Sequence, residues 1–295
     1  MIAIISSVIP VFAIVAIGFG AGKILPLDLP TISRLSIYVL FPALITESMY
    51  RTPLSLDHAA GIIAGCIVTY FLMFIIALVL GRQLGLPVEV QKSLVLTTTM
   101  PNCGNMGLSI VLFAFGETGL DRGIVYLLIT NILLFSTMPA FLKGGDFRTG
   151  VSSTVKMPLL WAIPIGFSLR LFGESLPLKL DAGLHILAQA AIPVAMLILG
   201  IEISGSSWKI NLYEAAASLL RLLGGAAIAY IVGKVLNLAT LDLQVLVLQS
   251  AMPAAIVTFL IANEYGGDPP RTVRVVVGST LLSFLTLPLV LWAIS

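Results

Sequence analysis

The stretch Pro101-Asn102-Cys103-Gly104-Asn105 lies in the middle of a long apolar run, and Gly107 follows two residues later. A proline removes one backbone donor and clashes with the carbonyl four residues before it. Asparagines offer donors and acceptors without charge. Glycines let the chain turn sharply or approach a ligand closely. The N–H groups after such a break form a partly positive helix end, which suits an anion. The chemistry predicted here is binding of a small carboxylate by Pro101, Asn102, Cys103, Gly104 and Asn105. A second break of the same kind falls at Pro253, followed by Ala254 and Ala255. Two such ends meeting at mid-membrane would form a carboxylate site without a formal cation. Asn131 and Gln249 lie in neighbouring apolar segments and are candidate lining residues, although hydrogen bonding between helices explains them equally well.

The ionisable residues are few. Glu47 lies near the end of an apolar segment, four residues before Arg51. An intramembrane acid is a candidate for coupling; the competing reading is an interfacial carboxylate beside Arg51. Arg221 is the one cation well inside a segment. It could pair with a buried acid, attract an anion or snorkel to the surface. Gln189, one turn before Pro193, could also face a substrate. Glu202, His58 and His185 sit near segment ends and read as interfacial. Glu264 is the acid found inside the segments expected to move, which argues mildly against sodium coupling. The sequence holds no P-loop, no paired aspartates within a segment and no nucleophile with a histidine companion, so an ATPase or an intramembrane enzyme is not expected. Cys66 and Cys103, both in apolar segments, predict neither a disulfide framework nor a metal site. No cofactor is expected.

The elements that position these residues follow from composition. Of the 295 residues, 58% are hydrophobic and 10% charged, where a soluble domain carries about 25% charged residues. Mean hydropathy is +1.08. The solvent of this chain is lipid. A net charge of +2 without a basic run gives no reason to expect nucleic acid. The first Lys or Arg is Lys23, so the N-terminal segment reads as a retained span rather than a signal peptide. At about 20 apolar residues per crossing, the chain divides into ten segments, near 2–24, 31–50, 58–81, 90–115, 122–142, 155–173, 183–203, 210–236, 242–264 and 270–293. The longest connection is 143–154. The odd-numbered connections carry Lys23, Arg34, Arg82, Lys92, Lys143, Arg148, Lys156, Lys209, Arg271 and Arg274; the even ones carry Arg51, Arg122, Arg170, Lys179 and Lys234. This bias places the odd connections in the cytoplasm. Both termini then lie outside it.

An internal repeat runs through the segments. "LVLTTTMP" from Leu94 matches "LVLQSAMP" from Leu246, an offset of 152 that carries Pro101 onto Pro253. Pro42 in "LFPALI" and Pro193 in "AIPVAMLIL" agree at an offset of 151. A second copy of a five-helix unit must enter the membrane from the opposite face. The expected organisation is therefore an inverted repeat, 1–142 and 155–295, joined by a cytoplasmic linker at 143–154.

The segments "PNCGNMGLSIVLFAFGETGL" and "AMPAAIVTFLIANEYGGDPPRTVRVVVGSTLLSFLTLPLVL" resemble the auxin efflux carrier family, which includes bacterial carriers and the plant PIN-type auxin transporters. "LSIYVLFPALITESM" and "AAIPVAMLILGIEIS" extend the resemblance to nearly the whole chain. It implies an all-α membrane protein of ten helices in two inverted repeats, with broken helices 4 and 9 crossing, a fold similar to that of the bile acid sodium symporters. It also implies a scaffold of helices 1, 2, 6 and 7, a moving unit of helices 3–5 and 8–10, a homodimer through the scaffold, and elevator-like alternating access. Family substrates are organic anions, auxin in plants and dicarboxylates such as malate or malonate in some bacteria. Pro101 and Pro253 match the crossover prolines, and Asn102 matches the asparagine that faces substrate in plant members. Two departures stand out. Ala254 and Ala255 replace a polar residue common after the second proline in plant members, and the 5–6 linker is short. The leading function is secondary transport of a small organic anion. The alternatives are a sodium-coupled symporter of the bile acid type and a non-transporting receptor with the same fold.

Overall fold

The computed structural model describes residues 2–51, 56–143, 158–169, 171, 176–205 and 210–295. Most of the expected linker (144–154) lies outside the described residues, as do Arg148, Lys156, Arg170 and Lys209 of the charge bias. Among the described residues the regular elements are helices. In order they are α1 (Ile2–Ile24), α2 (Leu29–Arg51), α3 (Leu56–Gln83), α4 (Val88–Thr99), α5 (Ser109–Lys143), α6 (Pro158–Leu169), α7 (Leu180–Ser204), α8 (Leu212–Val235), α9 (Thr240–Ser250), α10 (Val257–Tyr265) and α11 (Pro269–Ile294). Six helical stretches are long and apolar enough to cross a membrane: Leu29–Arg51, His58–Gln83, Cys103–Met138, Pro177–Ser204, Leu212–Val235 and Pro269–Ile294. The protein is a multi-pass membrane protein.

Small residues set the tightest packing. α1 lies along α7, where a Cβ on Gly18 would stand 2.4 Å from the Leu197 carbonyl oxygen and one on Gly200 would stand 2.1 Å from that of Val15. α6 lies on α2 in the same way: a Cβ on Gly166 would meet the Thr46 carbonyl at 2.6 Å. Lipid offers no hydrophobic drive for helices to associate, so close backbone approach and dispersion must hold them. α1, α2, α6 and α7 pack on one another, while α3, α4, α5 and α8 to α11 pack into a second group. α2 contains a π turn at Ser36–Leu40 immediately before Phe41 and Pro42. The wider turn gives the proline ring room that a regular helix would deny it.

Within 90–115, α4 ends at Thr99, and a π turn at Cys103–Leu108 leads into α5. One expected connection differs from the structure: residues 115–122 are not a loop. Helical bonding runs on to Lys143, interrupted in conformation at Gly116 alone (φ 67°, ψ −166°). This continuation carries Asp121 and Arg122 into a helix rather than a loop. Residues 242–264 likewise form two short helices, α9 and α10, with 251–256 between them.

The backbone of Gly116 lies in a region that only glycine adopts readily, and nothing lies within 4 Å of where its Cβ would be. Gly116→Ala is therefore a purely conformational test. It should destabilise the protein by about 1–3 kcal/mol, read as a lower melting temperature in detergent, and a melting temperature equal to that of the wild type would show that the bend is not needed.

Candidate functional site

The two interrupted segments meet. Asn102 N–H donates to the Pro253 carbonyl at 2.7 Å, and Ala255 N–H donates to the Met100 carbonyl at 3.0 Å. Together these form a single antiparallel bridge between Pro101 and Ala254. Unpaired backbone groups are tolerated at membrane depth only where protein or a wet cavity satisfies them, and each segment here satisfies the other. The approach to the bridge is also self-contained. Thr97, Thr98 and Thr99 donate their hydroxyls to the carbonyls of Ser93, Leu94 and Val95, one turn back, at 2.9, 2.6 and 2.7 Å. On the other side Ala254 N–H is held by Ser279 Oγ at 3.0 Å.

Beside this bridge is a cavity of about 190 Å³. Pro101, Asn102, Cys103, Gly104, Asn105, Asn131 and Ala255 all line it, with Thr130, Phe41 and Phe135 among the other walls. Among the described residues, no charged side chain lines it. The first turn of a helix leaves its N–H groups without intrahelical acceptors, so the backbone from Cys103 to Asn105 presents donors at this wall. Gly107 N–H makes the first long-range turn bond, to the Asn102 carbonyl at 3.0 Å. The Asn102 side chain makes no capping bond, and Asn131 Nδ2 donates to the Leu127 carbonyl at 2.8 Å.

Five candidates lie elsewhere, Glu47 among them. Pro253 and Ala254 hold the bridge and do not line the cavity. Gln249 is wholly buried away from it, against Gly107 and Gly123, and its amide nitrogen and oxygen have no hydrogen-bond partner among the described residues. Of its three expected roles, Arg221 neither pairs with a buried acid among the described residues nor snorkels to the surface. It is buried, no carboxylate among the described residues pairs with it, and it donates to the Thr98 and Ser250 carbonyls at the C-terminal ends of α4 and α9.

A second, larger cavity of about 520 Å³ lies toward the other end of α2. Glu47 is there, accepting from His185 Nδ1 at 2.6 Å and from Arg51 Nε at 3.0 Å. Gln189 and Pro193 line the same cavity, with Glu117 and Asp121. Ser48 Oγ donates to Asp121 Oδ1 at 2.5 Å and ties α2 to α5. Its three carboxylates make this larger space the poorer home for an anion.

The expectation that Glu264 is the acid of the second helix group is corrected. Asp121, Glu214 and Asp242 are all buried, each with a partner. Asp242 binds Arg122 Nε at 2.5 Å and His58 Nδ1 at 2.6 Å, and Glu214 binds Arg274 Nε at 2.9 Å. His58 and His185 are thus partners of acids rather than bare interfacial residues. One signal in the sequence was available for these pairs: Arg122 and Arg274 stand at the repeat offset of 152.

Residues 3–143 and 150–291 match the family described as "Membrane transport protein". An "Uncharacterized transporter" of Methanothermobacter thermautotrophicus is 30% identical over 90% of this chain and 89% of its own. Another, from Methanocaldococcus jannaschii, is 28% identical over 74% of this chain and 73% of its own. A Rhizobium meliloti protein described as "Putative malonate transporter" is 25% identical over 97% of this chain and 94% of its own. These relatives are described as transporters, not enzymes.

The orphaned amide of Gln249 generates a prediction. A buried polar group without partners costs about 1–3 kcal/mol, so Gln249→Met, which is slender enough to lie between Gly107 and Gly123, should raise the melting temperature and leave ligand binding intact. A fall in both would place the amide in the working site.

Proposed function

The chain belongs to the membrane transport protein family, and we propose that it is a secondary carrier for a small organic anion, bound where the two interrupted helices meet. The observation that carries this reading is the uncharged cavity of about 190 Å³, walled by Asn102, Asn105, Asn131 and the backbone of Cys103 and Gly104. That volume is on the scale of a small organic acid. Ala255 at the wall, in place of a polar side chain, disfavours auxin itself. The name of the Rhizobium meliloti relative makes malonate the first probe.

The carrier is read as ten crossings in two inverted repeats in the cell membrane, with both termini outside the cytoplasm. Three pairs at the offset of 152 support this: Pro101 with Pro253, Arg122 with Arg274, and Thr98 with Ser250. The division of packing into two helix groups supports a scaffold of α1, α2, α6 and α7, a moving unit of the remainder, and elevator-type alternating access. In this reading the scaffold also forms a homodimer. The two cavities lie at opposite ends of the boundary between the groups, the smaller toward Ile37 and Phe41, the larger toward Glu47 and Arg51. The hydrogen bond between Ser48 and Asp121 closes the boundary on the larger cavity's side.

Binding is tested by thermal shift with malonate, since a ligand of the folded state raises its melting temperature. Asn102→Ala should fold normally and bind malonate about tenfold or more weakly, the worth of a hydrogen bond to a charged group. Unchanged affinity would remove Asn102 from the site. Coupling is assigned to Glu47, because its contact with His185 offers a proton path at the mouth of the larger cavity. In liposomes, Glu47→Gln should lose malonate uptake driven by a pH gradient while keeping malonate counterflow, with sodium present or absent. Full gradient-driven uptake by the variant would exclude Glu47, and a strict sodium requirement would favour symport of the bile acid type.

A further inference from the structure

We infer that Arg221 is a positioning residue of the proposed anion site: one guanidinium clamps the C-terminal ends of α4 and α9 and supplies the positive charge that the site lacks. The inference rests on the carrier reading above for its ligand and on the contacts of Arg221 for its geometry.

Helix dipoles alone do not make this meeting point positive. Each helix end carries roughly half an elementary charge, positive at the N-terminus and negative at the C-terminus. Four ends converge here. Two are C-terminal, at Thr99 and Ser250, and two are N-terminal, at Cys103 and Val257. Their sum is about zero. An anion beside Asn102 would gain from the N-terminal pair and lose to the C-terminal pair a few residues behind it. Arg221 changes this balance. Its Nη1 donates to the Thr98 carbonyl and its Nη2 to the Ser250 carbonyl, so a full positive charge sits on the two negative ends. It is 2% exposed, and no carboxylate among the described residues pairs with it. Tyr126 and Cys103 also interact with it, and Cys103 lines the cavity. Arginine's charge does not titrate away on burial, and its planar fork addresses two acceptors at once.

The surroundings are shaped for this side chain. Arg221 sits in a π turn of α8, Leu220–Gly224, which locally widens the helix. One turn on is Gly225, where a Cβ would stand 2.3 Å from Nη2 of Arg221 and 2.3 Å from the Ser250 carbonyl. The two accepting residues, Thr98 and Ser250, are 152 positions apart, the same spacing as Pro101 and Pro253. Position 69, at that spacing from Arg221 itself, is a buried threonine. A single arginine from one half thus serves equivalent carbonyls of both.

The test compares the wild type with Arg221→Gln and Arg221→Lys in two measurements on the full chain: malonate affinity by calorimetry, and amide hydrogen exchange at Asn102 and Ala255, whose N–H groups form the bridge. Arg221→Gln should weaken malonate at least tenfold and speed both exchanges. Arg221→Lys keeps the charge but not the fork, so it should speed exchange by a similar factor while recovering part of the affinity. Unchanged exchange in Arg221→Lys overturns the clamp, even if Arg221→Gln does not fold. Faster exchange with wild-type malonate affinity in Arg221→Gln overturns the electrostatic role. If the wild type itself binds no malonate, the carrier reading and the charge role fall together for this ligand, and the exchange measurement still decides the clamp.

Discussion

Everything in the centre of this protein answers to one constraint: a backbone that stops being helical inside lipid must find partners for its N–H and C=O groups. Leaving even one such group bare costs several kcal/mol. Pro101 and Pro253 each create that problem, and neither half of the chain could solve it alone. The two hydrogen bonds across the bridge at Pro101 and Ala254, the Ser279 hydroxyl on Ala254, and the Arg221 fork on Thr98 and Ser250 together form the solution. The solution is local, and it leaves the donors after Pro101 facing a cavity rather than lipid. A break that would only destabilise an isolated helix becomes, in a pair, a place where a polar guest is held.

The charged residues follow the same economy of burial. A buried charge needs a partner or it moves to the surface. Asp242 has two, from α3 and α5, and Glu214 has Arg274 across to α11. These pairs join helices within one packing group, where nothing needs to slide. Ser48 and Asp121 differ: their single hydrogen bond crosses from α2 to α5, between the groups. A hydrogen bond to a carboxylate is worth about 1.5–3 kcal/mol, which in the proposed carrier would favour one arrangement of the two groups over another.

Much of this was legible in the sequence. Apolar length marked the helical stretches, because a bilayer fixes how many residues a crossing needs, and the prolines marked where two of those stretches are interrupted. The "PNCGN" stretch pointed to the cavity wall without help from any contact, since a cluster of Pro, Gly and Asn at mid-span has no good bilayer-facing explanation. The bend at Gly116 was not legible: Gly-Glu-Thr-Gly-Leu-Asp-Arg reads as a polar loop until partners for Asp121 and Arg122 are known. Those partners lie far off, with Ser48 separated from Asp121 by 73 positions and Asp242 from Arg122 by 120. Gln249 was misleading for the opposite reason. A polar residue four positions before a critical proline invites a functional role, yet space between two glycines is what receives it. Arg221 was visible as an anomaly, but its acceptors are backbone carbonyls, which carry no signature in the sequence.

The contrast between the two cavities bears on where an anion would rest. The smaller is uncharged at its walls, with Arg221 behind it, while the larger holds Glu47, Glu117 and Asp121 against Arg51 and His185. In a low-dielectric cleft, charges of one sign act over several ångströms and bias the local concentration of ions. In the proposed site, an anion in the smaller cavity is drawn by Arg221, whose charge offsets the two helix C-termini that would otherwise cancel the two N-termini. The same anion in the larger cavity meets three carboxylates, Glu47, Glu117 and Asp121, beside Arg51 and His185, both of which are engaged by Glu47. In the proposed carrier this contrast makes the smaller cavity the resting place of the anion, while the electrochemical gradient sets the direction of net movement.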